Sequence, residues 1–559
     1  MLTYLAAALA LVVFVLPSAL RPPAEQSNQS AELSPNAPHN HQQSIIAALQ
    51  AASSGTQGSG FGPGNVGSTG GPGPGLGAAP GGPQLASRYC PYGIGGRQTF
   101  SLYSAPCAPS WSGDNGGATA PGVTATQVRI AVGYPAANVG TNGPVTEPPN
   151  SNQNKSDFTW SVVQQWLNSR YQFWGRSLQL YVVNDSESPT AESQVAATAY
   201  NTYHVFAAEE GRVTTMQDMA HYGIIDFAET LDQFSDAFLN AHAPYLWEWH
   251  GSTTQMMKLS AEFLCKKLAN GNAVYAGDPT IQAKKRKFGL VYDGQNAGTG
   301  PTEQELRTFL AQDCGLQLAD AIEFPYVEYN DSASAQDAAT AVSKLRADGV
   351  TTVVDAADWL NSDYLTNSAN SQGYFPEWYT SGEGLTDENG GLQNSAEWAH
   401  AFGISGIEID GGDLSFNPQL SDGYIAFEQI APGASQDNNI LVNLFYELEQ
   451  IANGIQEAGP HLTPATFEQG LFKIGVRQPV PVWSVGGGYY PDHHAYADDV
   501  GVIWWDTSAD SGTGGYDGAW RWVHCGRRYG PGQMDSDTSQ LFKAGITTRQ
   551  QAADAGSGC

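Results

Sequence analysis

Acidic, amide and aromatic side chains follow four short apolar segments of this chain. Carboxylates accept charge-assisted hydrogen bonds from cations, and amides both donate and accept hydrogen bonds. Such groups, when brought together, suit the binding of a small polar molecule. The side chains in these positions are Asn138, Asp293, Asn296, Asp355, Asp358, Trp359 and Glu383.

The elements that must position these side chains are apolar strands alternating with amphipathic helices. The predicted strands are 128–133, 178–183, 222–227, 244–249, 288–293, 349–355, 376–380, 398–412, 480–490 and 500–505. The predicted helices are 158–174, 191–200, 256–268, 303–311, 438–458 and one that starts at Pro464, capped by Thr463. This alternation indicates βαβ units on parallel sheets, where ligands bind beyond the carboxyl ends of the strands.

Length and charge limit the classes of function. The chain has 559 residues, so we expect two or three domains. With 25 basic and 55 acidic residues, its formal net charge is -30. This balance disfavours binding to nucleic acid or to an anionic membrane surface, because both need a basic surface.

The amino-terminal part predicts export from the cytoplasm. Residues 1–20 are apolar and uncharged, which fits a signal peptide or a signal anchor. Residues 21–85 are rich in Gly, Pro and Ser and predict a flexible tether. A small collar, 86–122, follows, and a tail, 526–559, ends the chain.

The six cysteines predict disulfides, since their number is even and the start of the chain is secretory. They allow 15 complete pairings, which sequence alone does not resolve. We expect sequential pairing, because each bond then closes within one region. The predicted pairs are Cys90–Cys107, Cys265–Cys314 and Cys525–Cys559.

Catalytic and metal-binding motifs are missing from the sequence. It has no G-x-S-x-G, H-E-x-x-H, P-loop or CxxC pattern. We therefore expect no cofactor, no metal and no enzymatic activity, although a hydrolase that pairs Asp355 or Glu383 with another acid stays open. His493 and His494 are adjacent, which favours a surface loop over a shared metal ion.

Order and spacing over 121–506 resemble the type I periplasmic-binding-protein family, more narrowly the solute-binding subunits of branched-chain amino-acid-type ABC transporters. The segments that carry this resemblance are 122–130, 287–293, 348–355 with 373–383, and 441–458 with 463–468. The collar adds a weaker resemblance to actinobacterial members.

The resemblance implies an α/β fold with two doubly wound, Rossmann-like lobes, a hinge and an interlobe cleft within 123–525. Lobe 1 would comprise about 125–250 and 400–475, and lobe 2 about 256–395 and 480–525. No nucleic acid takes part. The implied protein lies outside the cytoplasm, secreted or anchored to the outer face of the cell membrane. It captures a small polar solute, an amino acid or similar, and delivers it to an ABC transporter permease.

The resemblance also assigns ligand contacts. Members that bind amino acids hold the ligand carboxylate with hydroxyl and amide groups after lobe 1 strands, and the ligand ammonium with an acid after a lobe 2 strand. Here the acid is Glu383, and the position of an aromatic wall falls on Asp358, which would replace it, or on its neighbour Trp359. The positions that hold the ligand carboxylate in those members fall on Glu229, Thr230, His250, Ser252 and Thr253.

Several alternatives remain open at this point. Glu229 would repel a ligand carboxylate, and Asp358 with Glu383 suits a cation such as a polyamine or a basic amino acid. Glu229 and Asp355 also suit helix N-caps. Trp249 fits either the core or a stack against the ligand. The same fold also serves ligand-sensing or partner-binding receptors that transport nothing.

Overall fold

A computed structural model describes residues 90–135, 142–146, 154–185, 189–209, 213–228, 234–294, 302–324, 331–389, 395–409, 418–477, 484–510 and 517–555. The predicted signal segment and tether lie outside these residues, as do Asn138, Glu229, Thr230, Asn296 and Cys559. Within the described residues, no helix is both long and apolar enough to cross a membrane.

The first of two sheets consists of β1 (Gln127–Pro135), β2 (Gly143–Pro144), β3 (Ser177–Asp185), β4 (Ala207–Glu209), β5 (Ile225–Ala228) and β6 (Leu246–Glu248). Its order is β2-β3-β1-β4-β5-β6, and among these described strands the edge strand β2 alone runs antiparallel to its neighbour. Helices α1 (Lys155–Arg170), α2 (Pro189–Thr198), α3 (Val213–His221) and α4 (Asp236–Ala241) alternate with these strands. Successive residues such as Ile130, Ala131 and Val132 are all buried, as expected of a parallel sheet covered on both faces.

The second sheet consists of β7 (Phe288–Asp293), β8 (Asp320–Phe324), β9 (Thr352–Ala356), β10 (Glu377–Thr380), β11 (Ala401–Ser405), β12 (Val500–Asp510) and β13 (Asp517–Trp522). Its order is β13-β12-β11-β10-β9-β7-β8, with β14 (Arg528–Tyr529) paired to β12. The strands from β8 to β11 run parallel, and β12 and β13 are antiparallel to their neighbours. Its helices are α5 (Thr253–Phe263), α6 (Pro279–Gln282), α7 (Thr302–Asp313), α8 (Asp331–Ala347), α9 (Trp359–Gln372) and α10 (Ser395–Trp398).

The chain then returns to the first sheet through α11 (Asp422–Ile430), α12 (Asn438–Asn443), α13 (Phe445–Ala458) and α14 (Pro464–Ile474). Phe467 of α14 packs edge-on against Phe206, Phe227 and Trp247 of the first lobe. A last helix, α15 (Arg549–Ala555), lies near the end of the chain. We call the part built on the first sheet lobe 1 and the part built on the second sheet lobe 2.

The described elements change lobe three times along the chain, and we call these changes the first crossover, from β6 to α5 at 249–252, the second, from β11 to α11, and the third, from α14 to β12. Each lobe is a mostly parallel sheet with alternating helices, which confirms the predicted α/β class with two doubly wound lobes. Two of the predicted disulfides, Cys90–Cys107 and Cys265–Cys314, are present. The third stays a prediction because Cys559 lies outside the described residues.

Several predicted elements differ from the structure. The predicted helix 438–458 is broken at Leu444, where φ is -107° and ψ is -7°. The predicted strand 480–490 forms only isolated bridges in its described part, where Gly486 to Gly488 offer no side chains to pack. Strand β11 pairs with β10 and β12, so the 401–405 segment belongs to lobe 2 and not to lobe 1.

Candidate functional site

The carboxyl ends of the central lobe 2 strands carry a row of acidic side chains. Asp293 ends β7, Asp355 is the penultimate residue of β9, and Glu383 follows β10 by three residues. In the pairing register, Val291 lies beside Asp355, and Asp355 lies beside Thr380. The three acids are therefore brought to one edge of the sheet, as the alternation of strands and helices predicts.

Glu383 is a buried acid among the predicted ligand contacts, with 6% of its surface exposed. The hydroxyl of Ser381 donates to its carboxylate over 3.4 Å, and the hydroxyl of Thr253 also bonds to it. Burial, assisted by the nearby Glu305 and opposed by the hydrogen bonds from Thr253 and Ser381, raises the pKa of Glu383 to about 8. An acid in this setting binds a proton near neutral pH unless a cation approaches it.

Two glycines hold the Glu383 loop against helix α9. Gly382 and Gly384 have φ values of +76° and +56°, which favour glycine. A Cβ on Gly384 would lie 2.5 Å from Cα of Asp358. The amide of Trp359 donates to the carbonyl of Gly384 over 2.9 Å. The loop is thus fixed on the first turn of α9.

Asp358 caps helix α9, because its carboxylate accepts the amide of Asn361 over 2.7 Å. The amide of Asp358 and the side chain of Asn361 both donate to Asp293, over 2.6 and 2.7 Å. Burial raises the pKa of Asp358 to about 6. Burial also raises the pKa of Asp293 well above its usual value, and the nearby charge of Asp358 is the second cause of this rise.

Asp355 does not act as the helix N-cap that the sequence left open, since Asp358 occupies that position. Its carboxylate accepts the amide of Ala357 over 3.2 Å and is fully buried. Burial raises its pKa to about 7. Trp359, the neighbour of Asp358, is buried in the first turn of the helix, with 7% of its surface exposed.

The first crossover supplies the remaining described residues of the predicted site. Ser252 is the N-cap of α5, and Gln255 completes a capping box with it. The amide of Thr253 donates to the carbonyl of Phe234 over 3.0 Å. His250 lies 3.8 Å from Glu248, and burial lowers its pKa to about 4. The hydroxyl of Ser252 and the amide of Thr253 thus have partners within the protein.

The sequence did not single out Glu305 or Thr254, which also lie at this crossover. The hydroxyl of Thr254 donates to Glu305 of α7 over 2.7 Å and accepts the amide of Asp236 over 3.1 Å. Thr254 thereby joins a lobe 2 helix to the start of α4 in lobe 1. Acidic residues are common in the first turn of a helix, so the position of Glu305 in the sequence did not mark it as a site residue.

The surface-loop interpretation of His493 and His494 is wrong, because both are at least 97% buried. His493 lies 3.4 Å from Asp236 and 3.4 Å from Asp498. Burial lowers its pKa, but the two carboxylates outweigh burial and raise the value to about 9. His493 is therefore a protonated bridge between lobe 1 and the third crossover.

Trp249 belongs to the core of lobe 1. It stacks on Tyr446 and Tyr496, with ring centroids 5.3 and 4.5 Å away, and 6% of its surface is exposed. Among the described residues, no group of three or more His, Cys, Asp or Glu side chains is arranged to hold a metal ion.

Comparisons with known proteins give structural matches only. No known family matches the sequence, and no curated protein matches it. A substrate-binding protein of an ABC transporter from Aeropyrum pernix is 13% identical to this chain, with a TM-score of 0.48. The match covers 73% of this chain and 96% of the Aeropyrum pernix chain. A fatty acid ABC transporter substrate-binding protein from Thermomonospora curvata is 15% identical, with a TM-score of 0.46, covering 73% and 94%.

A third match is an ABC transporter solute-binding protein from R. palustris in complex with 4-hydroxybenzoate. It is 8% identical, with a TM-score of 0.47, and the match covers 74% of this chain and all of that one. All three matched proteins are named as substrate-binding or solute-binding proteins of ABC transporters.

Proposed function

We propose that this protein captures a small polar solute between its two lobes, outside the cytoplasm, and delivers it to an ABC transporter permease. The observation that carries the proposal is the place of Glu383, a buried acid at the carboxyl edge of the lobe 2 sheet. Its carboxylate bonds to Thr253, the first residue after the first crossover. Ligands of doubly wound sheets bind at such edges. Closure of two lobes would remove water from a ligand held there and strengthen each polar contact.

Two further features support the cellular location and the absence of catalysis. The disulfides Cys90–Cys107 and Cys265–Cys314 fit an oxidising compartment outside the cytoplasm. The polar groups at the first crossover serve helix capping and bonds between the lobes, such as the bond from Thr254 to Glu305. These structural roles favour binding and delivery over turnover.

Thermal unfolding of residues 86–559 against a panel of solutes tests the proposal. The panel includes amino acids, polyamines, sugars and aromatic acids such as 4-hydroxybenzoate. A true ligand at about 100 times its Kd should add about 2.7 kcal/mol to the free energy of unfolding. The absence of any stabilising solute would overturn the proposal.

The Glu383→Ala variant then tests the site itself. Removing one partner of a buried charged contact should weaken ligand binding by about 2–5 kcal/mol, measured by calorimetry. Asp348→Ala, which removes an exposed acid at the end of α8, serves as the control. Equal affinity in the two variants would contradict the assignment of Glu383.

A further inference from the structure

The longest run of basic residues in this acidic chain lies directly before β7. Lys284, Lys285, Arg286 and Lys287 follow one another there, whereas elsewhere in the sequence no more than two basic residues are adjacent. A local concentration of positive charge attracts acidic groups at short range even in an acidic protein, because salt screens charges that lie more than about 8 Å away. The run therefore marks a part of the surface whose charge opposes that of the whole chain.

Arg286 is the inward-facing member of the run and fixes it to the lobe 2 sheet. Its guanidinium donates to both carboxylate oxygens of Glu377, over 2.7 and 2.9 Å, and its side chain is 4% exposed. Glu377 is the first residue of β10 and also accepts the amide of Tyr275 over 3.0 Å. Because side chains alternate along an extended chain, Lys285 and Lys287 lie on the opposite side of the run and are exposed.

A second segment packs beside the run and holds its backbone in place. Asn272 and Lys285 form an antiparallel bridge, and the amide of Ala273 donates to the carbonyl of Lys284 over 3.0 Å. Val274, the next residue of this segment, is 55% exposed. An apolar side chain thus lies beside the lysines on a backbone that is already ordered, which lowers the entropic cost of binding a partner.

The three lysines keep their charge unneutralised. Lys284, Lys285 and Lys287 form no ion pair with any carboxylate that the structure describes. The ammonium group of Lys285 donates to the carbonyl of Asn270 over 2.9 Å, and that of Lys287 donates to the carbonyl of Asp348 over 2.5 Å. Carbonyls orient an ammonium group without cancelling its charge, so a carboxylate can still approach each lysine. We call Lys284, Lys285, Lys287 and Val274 the basic patch.

The charges around the basic patch are mixed. Lys344 and Arg346, near the end of α8, lie close to the same edge of the sheet and add two bases. Lys344 pairs with Asp320 and lies 4.0 Å from Asp348. Asp278 lies near the first lysine of the run, and hydrogen bonds from Thr280 occupy its carboxylate. With these neighbours included, the bases still outnumber the acids.

The basic patch lies at the edge of the lobe 2 sheet opposite the candidate site. The amide of Lys287, the residue before β7, donates to the hydroxyl of Thr351, the residue before β9, over 2.8 Å. Strands β7, β9 and β10 run parallel, so their amino ends share this edge, while Glu383 follows the carboxyl end of β10. A partner held at the basic patch would therefore leave the candidate site uncovered.

We propose that the basic patch binds an acidic segment of a partner protein, with carboxylates on the three lysines and an apolar side chain on Val274. Lysine ammonium groups form charge-assisted hydrogen bonds with carboxylates, and complementary charge sets the choice of partner. A short segment meets only the local charge. An extended anionic surface, such as a membrane, would also meet the rest of the chain, whose net charge of -30 becomes -34 without the four charges of the run. This inference goes beyond the proposed function and does not depend on solute binding.

Fluorescence anisotropy with two labelled peptides tests the inference on the full chain at low salt. The first peptide consists of glutamates and a few leucines, and the second has glutamine in place of each glutamate. We expect the acidic peptide to bind at least about tenfold more tightly than its neutral counterpart. Its affinity should fall as salt is added, because the contacts lie on the surface.

Two triple variants locate the contact. The test variant replaces the lysines of the patch, as Lys284→Gln, Lys285→Gln and Lys287→Gln, and should weaken binding of the acidic peptide at least about tenfold. The control variant removes the same charge from three exposed lysines elsewhere, as Lys258→Gln, Lys266→Gln and Lys473→Gln, and should leave the affinity within about twofold. Thermal unfolding should show both variants folded, since every replaced side chain is exposed.

Three results would overturn the inference. Equal affinity for the two peptides, or equal affinity of the two triple variants, would show that the patch does not select carboxylates. Binding to vesicles of phosphatidylglycerol without binding to the acidic peptide would assign the patch to a membrane surface. Dimers of the unchanged protein that the test variant abolishes would assign it to a second copy of the chain. None of these results involves solute binding, so each leaves the proposed function standing.

Discussion

Replacing Tyr103 with phenylalanine should loosen the junction between the lobes. Tyr103 belongs to the collar and is 3% exposed. Its ring packs edge-on against Trp249 of the first crossover, with centroids 4.7 Å apart. Its hydroxyl donates to Glu408 of the second crossover and accepts the amide of Val485 in the third over 3.2 Å. One side chain thus contacts all three crossovers.

The size of the effect follows from these two hydrogen bonds. Phenylalanine keeps the ring and its packing but leaves the buried Val485 amide and one oxygen of Glu408 without this partner. A buried group that loses its partner costs about 1–3 kcal/mol. Because Arg549 still pairs with Glu408, we expect a total loss of about 2–3 kcal/mol in the free energy of unfolding.

Chemical unfolding and hydrogen exchange measure this loss, with two control variants. Tyr92→Phe makes the same change at a collar tyrosine that is 74% exposed and should change nothing. Tyr171→Phe breaks a buried bond to Glu449 within lobe 1 and should cost stability without affecting the crossovers. Only Tyr103→Phe should speed exchange at the Val485 amide.

Two results would refute this reasoning. If Tyr103→Phe unfolds like Tyr92→Phe, the hydroxyl does not hold the crossovers together. If Tyr171→Phe raises exchange at the Val485 amide as much as Tyr103→Phe does, the effect is a general loss of stability and not a property of the junction.

Two other predictions concern buried charges. Arg528 donates to Asp499 over 2.6 Å and to the carbonyls of Gly406 and Ile407, so Arg528→Met should lower the free energy of unfolding, measured thermally, by about 3–5 kcal/mol. The control variant Arg521→Met removes a partly exposed ion pair with Asp506 and should lower it by less than about 1 kcal/mol. Similar losses in the two variants would contradict the role of Arg528. Because burial raises the pKa of Glu383 to about 8, the folded state binds more protons than the unfolded state between about pH 4.5 and 8. The free energy of unfolding should therefore fall as pH rises through this window, by up to about 1.4 kcal/mol per pH unit, and urea unfolding of Glu383→Gln should show a flatter profile. The groups that face Glu383 are Thr253, Ser381, Tyr379 and Glu305.

Local patterns predicted the fold better than the site. The run from Phe288 to Tyr292 is buried, and the sequence shows it as a continuous apolar segment. Ser252 with Gln255 three residues later matches a capping box, so the role of Ser252 as a cap was readable from spacing alone. Strand β8 was missed because its residues are only partly buried and its pattern is weak.

Distant partners explain what the sequence did not reveal. His493 contacts Asp236, and His494 contacts Asn240 at 2.8 Å, residues more than 250 positions earlier in the chain. No local pattern encodes such contacts. Glu305 likewise gains its place only when α7 packs beside α5 and brings its carboxylate to Thr254.

The first crossover connects the collar to the candidate site. Trp249, at its start, packs on Tyr103, and Thr253, four residues later, bonds to Glu383. A rotation of one lobe relative to the other changes the backbone between these two contacts, because this crossover is one of the three joints. Under the proposed function, a ligand held at Glu383 would shift the lobe angle only by its difference in affinity for two lobe arrangements. Packing at Tyr103 would then add to or subtract from that shift, because both contacts lie on the first crossover.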